Sequence, residues 1–311
     1  MTMRVFLFPG QGSQEAGMAA DLFKADAPFR QLVRRASEHT GSDLQKICLR
    51  GPDRELTRTR NLQPLLVCVS LGYLRRLAEK GVLPDKVLGH SLGEISALAA
   101  AGIVSFEAAV DIAAKRGELM DAAAARAPGG MAAVISTDRA AVLNMLARKF
   151  GGAQVVLASD NAPNQIVVSG EVALLEQFAS LLAAEKLGQC RRLAVAGAWH
   201  SPLMAQAQRE FSSWLDAIEF RAPRAPLIFN VTAAPESDPQ KIRQLIARNL
   251  VEPVRWHEAM TALRGAGGLS FYEVGPGRVL SSLARANGFG NETKIHSINS
   301  QHGIEMAGHP D

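Results

Sequence analysis

Residues 87–102 read VLGHSLGEISALAAAG. The apolar run KVLGH (86–90) leads into Gly89-His90-Ser91-Leu92-Gly93, and EISALAAAG (94–102) follows. The first run predicts a short buried strand, the second a helix that stops at Gly102. A serine between glycines at such a junction fits a sharp strand-to-helix turn, which needs small residues on both sides. That turn exposes the serine oxygen at the carboxyl end of the strand and aims the next backbone N–H at a reacting oxygen. The positive N-terminal end of the helix adds to the field there. Glycines and serine also make ordinary turns, so by itself the pentapeptide leaves Ser91 either a nucleophile or a turn former.

Outward from this turn, RVFLF (4–8) predicts a buried strand ended by Pro9-Gly10. Residues 17–39 and 55–80 carry apolar positions at helical spacing, and residues 105–126 form another predicted helix that Ser105 can cap. Strand, helices, strand, helix points to a parallel sheet covered by helices. The pattern then changes. Predicted strands at 129–137, 153–159, 165–170 and 190–197 alternate with helices at 139–150 and 172–186. The order β-α-β-β-α-β is the ferredoxin-like unit. It is read as a small subdomain, 128–197, inserted into a larger domain made of 1–127 and 198–311. A helix at 201–218, capped by Ser201 with Pro202 in its first turn, is followed by a strand at 226–231, a helix at 238–251, a strand at 269–277 and a helix at 279–288. The tail after Ser300 has little apolar content and is expected to fray.

The 311 residues suffice for one large domain carrying a smaller one. Apolar residues make up 47% and aromatics only 5%, so alanine, leucine and valine must fill the core. Cys48, Cys68 and Cys190 are far apart and odd in number, and no CxxC occurs. They read as buried thiols in a reducing cytoplasm, not as a disulfide framework or a zinc site. No HExxH or other ligand cluster suggests a metal. No segment approaches the roughly 18 apolar residues of a membrane span, and the N-terminal apolar run is too short for a signal peptide. The formal charge is +4, with basic pairs at Arg34-Arg35, Arg75-Arg76 and Arg191-Arg192. Without interleaved aromatics these give little support to nucleic-acid binding. They read either as solvated helix faces or as a surface for an acidic partner. GQGSQEAG (10–17) is not a dinucleotide fingerprint, and no GxxxxGK[ST] occurs.

A serine nucleophile needs a base. Of the seven histidines, His302 and His309 lie in the tail, and His39 on a charged helix end. His90 adjoins Ser91, but neighbours across a sharp turn point apart. His200 lies in AGAWHSPLM (196–204), where a strand gives way to a capped helix, and is the best candidate.

FPGQGSQ (8–14), GHSLGE (89–94), GAWHSPLM (197–204), PVRW (253–256) and YEVGPG (272–277) stand in the order seen in malonyl-CoA:acyl carrier protein transacylases and the related polyketide synthase acyltransferases. The chain resembles that family from residue 4 to about residue 300. The resemblance implies an α/β-hydrolase-like domain with an inserted ferredoxin-like subdomain, in agreement with the predicted order of elements. It implies Ser91 as the nucleophile that takes an acyl group from coenzyme A, and His200 as general base, then acid. It implies Gln11 and Leu92 as oxyanion-hole donors through their backbone N–H groups. The family's usual glutamine, whose backbone carbonyl orients the histidine, corresponds to Asn249, and that change is expected to be tolerated.

The resemblance also gives Arg116, in AAKRGELM (113–120), a substrate role; on sequence alone it would be a surface residue. A planar guanidinium can hold a carboxylate by two hydrogen bonds, so Arg116 implies a dicarboxylic acyl group. Trp199 stands where malonyl-selective relatives carry a bulky aromatic and methylmalonyl users a smaller residue, which favours malonyl; a tryptophan packed in the core is the plainer alternative. Gln63 and Asn161 match polar positions near the family's site, with Asn161 also a turn former. Met120 shares a helix face with Arg116 and can line the acyl pocket.

The resemblance thus implies a transferase without a cofactor, its substrates malonyl-CoA and the phosphopantetheine arm of an acyl carrier protein; a monomer is expected, and with neither signal peptide nor membrane span in view the default location is the cytoplasm. Related subunits also serve malonate decarboxylation. A serine thioesterase would share the elbow but leave Arg116 and Gln11 unexplained.

Overall fold

The structure is a computed structural model that describes residues 2–151, 155–265 and 268–307. Strands β1 (Met3–Phe8), β2 (Lys86–Gly89), β7 (Leu227–Ile228), β8 (Leu269–Val274) and β9 (Lys294–Ile298) form a parallel sheet in the order β7-β2-β1-β8-β9. Strand β1 lies at its centre, which explains why RVFLF is apolar throughout: both faces are covered. Alternate side chains go to opposite faces. Phe6 and Phe8 join one core, with Leu62, Leu66, Val110 and Ala113; Val5 and Leu7 join another, with Trp256, Met260 and Leu283.

The helices that form the first core include α1 (Ala20–Ala25), α2 (Ala27–Thr40), α3 (Leu44–Arg50), α4 (Asp53–Thr57), α5 (Thr59–Glu79), α6 (Gly93–Ala100) and α7 (Phe106–Arg126). A second sheet is antiparallel. Its elements run β3 (Gly129–Ile135), α8 (Arg139–Lys149), β4 (Val155–Ala162), β5 (Gln165–Glu171), α9 (Val172–Ala184), β6 (Gln189–Arg192), and its strand order is β4-β5-β3-β6. This is the ferredoxin-like arrangement, with a core of its own around Val142, Val168 and Phe178. The chain then continues through α10 (Ala205–Leu215), α11 (Pro239–Arg248), α12 (Trp256–Leu263), α13 (Val279–Ala286) and α14 (Gln301–Ala307). Backbone hydrogen bonds join β4 of the antiparallel sheet to the segment of the larger domain that leads into α12. Asp160 N–H donates to the Val254 carbonyl at 2.8 Å, and Val254 N–H to the Ala158 carbonyl at 2.9 Å.

Several elements differ from the sequence reading. The helix expected over 17–39 breaks at Asp26, whose carboxylate caps the Phe29 N–H at 2.8 Å with Pro28 just inside the second helix. The strand expected over 190–197 ends at Arg192. The Leu193 N–H keeps one bond to the Met131 carbonyl of β3, at 2.9 Å, before the chain leaves the sheet edge, and Leu193 and Val195 both line the cavity described below. The strand at 226–231 shortens to Leu227–Ile228, because residues 229–233 turn under the Ser91 loop. The helix at 201–218 opens with a single 3-10 turn, Pro202–Met204. The tail forms helix α14, with Ile304 buried and the Gln301 N–H bonded to Asp21 Oδ2 at 2.7 Å. His309, and the start of the strand expected over 153–159, lie outside the described residues.

All three cysteines are free, Cys48 and Cys68 buried and Cys190 half-buried. Burial pushes the Cys48 thiol up to about 12 and raises Cys68 and Cys190 as well. Among the described residues no helix is long and apolar enough to cross a membrane.

Candidate active site

Ser91 sits between the end of β2 and the start of α6, with φ at +52°. A left-handed non-glycine residue typically costs about 1–3 kcal/mol and persists only where its surroundings enforce it. Here they do. A Cβ added at Gly93 would lie 2.0 Å from the Phe8 carbonyl oxygen, so α6 abuts β1 at a distance only glycine allows. One buried amide clamps the turn from below. Asn230 Oδ1 accepts the Ser91 N–H at 2.7 Å, and its Nδ2 donates to the Gly89 carbonyl at 2.7 Å.

Ser91 Oγ lies 2.7 Å from His200 Nε2. His200 Nδ1 faces two backbone carbonyls, Asn249 at 2.7 Å and Glu252 at 3.1 Å. Carbonyls only accept, so Nδ1 carries the hydrogen and Nε2 is left to accept from the serine hydroxyl. Burial, and next the positive charge of Arg116, lower the His200 pKa to about 3. The imidazole is therefore neutral near pH 7, as a general base requires.

Arg116, on α7, is only 2% exposed. It donates to Gln63 Oε1 at 2.9 Å and to Asn249 Oδ1 at 3.0 Å, and the nitrogen that binds Asn249 is also 3.5 Å from Ser91 Oγ. Among the described residues these acceptors are neutral, and no carboxylate pairs with Arg116 directly. Burial lowers its pKa to about 10, against the opposing field of Glu94, which leaves the guanidinium charged at neutral pH. A buried cation beside a hydroxyl, with no anion in contact, is costly unless a ligand supplies the anion.

A cavity of about 420 Å³ opens over these groups, within the usual range for small-molecule sites. Gln11, Ser91, Leu92, Arg116, Met120, Asn161, Trp199 and His200 all line it. A Cβ at Gly10 would fall 2.5 Å from the His90 carbonyl and 3.7 Å from the Leu92 nitrogen, so the Gln11 loop lies directly against the elbow. Gln63, matched to a polar position near the site, and Asn249, matched to the residue that orients the histidine, do not line the cavity. Both are buried behind Arg116 and hold its guanidinium from the rear. Gln63 also donates to Met120 Sδ at 3.2 Å. Asn161 is not a turn residue: it belongs to β4 and is the extra residue of a bulge between Asp160 and Ala162. Bulges re-aim side chains, and this one sets Asn161 Oδ1 2.8 Å from His90 Nε2. His90 thus points away from Ser91's partner and packs on Trp256, ring centroids 5.3 Å apart.

Two residues without a role in the sequence reading stand in the middle of this network. Glu94 is 1% exposed and Asn230 is 2% exposed. Glu94 accepts the Asn230 backbone N–H with one oxygen and Asn249 Nδ2, at 2.7 Å, with the other. The signal for Glu94 was a lone carboxylate in the first turn of an otherwise apolar, alanine-rich helix. For Asn230 it was an amide at the end of the apolar run PLIF.

The acyl transferase domain family matches residues 5–293. A malonyl CoA-acyl carrier protein transacylase of Bacillus subtilis (strain 168) is 36% identical over 308 residues, covering 99% of this chain and 96% of the relative. A polyketide biosynthesis malonyl CoA-acyl carrier protein transacylase of the same organism is 38% identical over 283 residues, 90% of this chain and 96% of its own. Among solved structures, a malonyl-transacylase in complex with its type II polyketide acyl carrier protein superposes with a TM-score of 0.90 at 33% identity, covering 98% of this chain and 99% of that one. With family motifs, fold and near-complete coverage in agreement, the chain belongs to the acyl transferase family.

Proposed function

We propose that this protein moves a malonyl group from malonyl-CoA to the phosphopantetheine thiol of an acyl carrier protein, by way of a malonyl ester on Ser91. The observation that carries the reading is Arg116: a buried guanidinium with no carboxylate partner among the described residues, 3.5 Å from the serine oxygen and on the cavity wall. An acyl group with its own carboxylate completes that site, and a simple acyl chain leaves the charge unpaired.

In the first half-reaction His200 Nε2 takes the Ser91 proton as Oγ attacks the thioester carbonyl. The Gln11 and Leu92 N–H groups receive the oxyanion. The carbon–sulfur bond breaks, His200 returns the proton to the coenzyme A sulfur, and a serine ester remains. In the second half-reaction the carrier's thiol gives its proton to His200, attacks the ester and releases the serine oxygen, which takes the proton back. Trp199 and Met120 bound the acyl end, and Asn161 supplies a polar wall. The thioester is a substrate and the steps need no further cofactor. The carrier's arm, like that of coenzyme A, is a pantetheine. Three unpaired cysteines fit residence in the cytoplasm.

Intact-protein mass spectrometry with a panel of acyl-CoAs tests this. A malonyl adduct is expected on the wild type and lost in Ser91→Ala. Arg116→Ala is expected to lose malonyl transfer by roughly 100-fold or more, as for an interaction with a buried charge, and to gain relative activity on acetyl-CoA. Malonyl labelling that survives Ser91→Ala, or unchanged malonyl kinetics in Arg116→Ala, would sink the assignment.

A further inference from the structure

None of the transfer steps uses Glu94, yet its carboxyl group reaches both loops that hold the reacting groups. One oxygen takes the Asn230 N–H, and Asn230 in turn holds the Ser91 N–H at 2.7 Å. The other takes Asn249 Nδ2 at 2.7 Å, and the opposite end of that amide, Oδ1, receives Arg116 at 3.0 Å. The backbone carbonyl of the same Asn249 receives His200 Nδ1 at 2.7 Å. One residue therefore mounts the arginine on its side chain and the base on its main chain.

The orientation of the Asn249 amide follows from its neighbours. A guanidinium only donates, and both Glu94 oxygens face N–H donors. The amide nitrogen must then point to Glu94 and its oxygen to Arg116. Turned over, it would set an N–H against the guanidinium and push it from its seat. Arg116's other seat, Gln63 Oε1 at 2.9 Å, comes from a different helix and does not correct this.

We propose that Glu94 is a positioning residue for acyl selection: through the Asn249 side chain it seats the Arg116 guanidinium beside Ser91. The inference rests on the reading of Arg116 as the grip for the acyl carboxylate. It separates two jobs of one carboxylate, since only the Asn249 arm bears on substrate choice.

Glu94→Gln tests it at nearly constant shape. Its carbonyl oxygen can still accept from Asn230, while its NH₂ faces Asn249 and turns the amide over. The measurement is kcat/KM for Ser91 acylation by malonyl-CoA and by acetyl-CoA, with thermal unfolding followed in parallel. The malonyl-to-acetyl preference is expected to fall roughly 10- to 100-fold, the range for hydrogen bonds to charged groups, mainly through a higher KM for malonyl-CoA. Asn249→Leu keeps the backbone carbonyl for His200 and should give the same loss of preference. The double variant should be no worse than either single one, because both cut the same path. An equal fall on both substrates, or an unchanged preference, would overturn the role, whatever the Tm. A wild type that accepts no malonyl group would instead refute the proposed function, and this inference with it.

Discussion

At the scale of single residues, burial sets the state of the base. His200 is kept neutral by desolvation and by the nearby Arg116 charge, with a pKa of about 3. An unperturbed histidine base, near 6.5, would retain only about 3% of its neutral form at pH 5. The lowered value predicts instead that kcat/KM for Ser91 acylation stays level between pH 7 and pH 5. A rapid-quench pH profile checks this, and a fall of roughly 25-fold over that interval would show an ordinary, solvent-exposed base. Ser91 and His200 were legible in the sequence because their local signals are strong: small residues around one, a strand-to-helix junction at the other. Arg116 was legible only by resemblance. The partners behind it were not legible as such, because Glu94 and Asn249 are 155 positions apart and Glu94 and Asn230 are 136 apart. Hydrogen-bond partners at that separation leave no periodic trace.

At the scale of elements, the elbow depends on how closely α6 approaches β1. The 2.0 Å gap between a hypothetical Gly93 Cβ and the Phe8 carbonyl cannot be opened by moving a side chain, because the neighbour is backbone. Gly93→Ala is therefore expected to destabilise the fold by about 3 kcal/mol, the upper range for overpacking, and to abolish acylation. Chemical denaturation measures the first effect, and a wild-type midpoint would contradict the close approach. Strong periodicity made the long helices and the β-α-β-β-α-β order readable. Helix α12 and strand β9 were not read. The first is short, and the second is an edge strand, KIHSI, whose residues are mostly half-buried. Asn161 was misplaced for a different reason: a bulge has no sequence period, yet here it decides where a side chain points.

At the scale of the whole molecule, the cavity is walled by both sheets. Ser91 and the Gln11 loop come from the parallel sheet's end, Ala133 and Val167 from the antiparallel one, and Val279 and Leu283 from α13. Both thioester substrates must bring a pantetheine through this space to reach Ser91. Val167→Trp, at a wall residue, is expected to raise KM for malonyl-CoA and for the carrier together, by roughly tenfold each. Inactivation by a small serine-directed sulfonyl fluoride should change less than about threefold. A rise for only one thioester would mean that the two arms take separate routes. Fold class and the inserted subdomain were readable because each sheet has its own sequence rhythm. The meeting of the two sheets over one serine was not, since it depends on backbone contacts such as Asp160 to Val254.

The state of the sulfur atoms has a practical consequence. Exchange with a thioester, like alkylation, requires a thiolate. Burial raises the pKa of all three thiols and keeps them protonated near pH 7. Transfer of the acyl load from substrate to protein sulfur, and exchange with other thiol reagents, is therefore slowed near pH 7. Cys190 alone is half-buried and stands on β6 of the antiparallel sheet. Mild alkylation should reach it first, and so place a single spectroscopic label on the wall of the subdomain, away from the nucleophile's own strand.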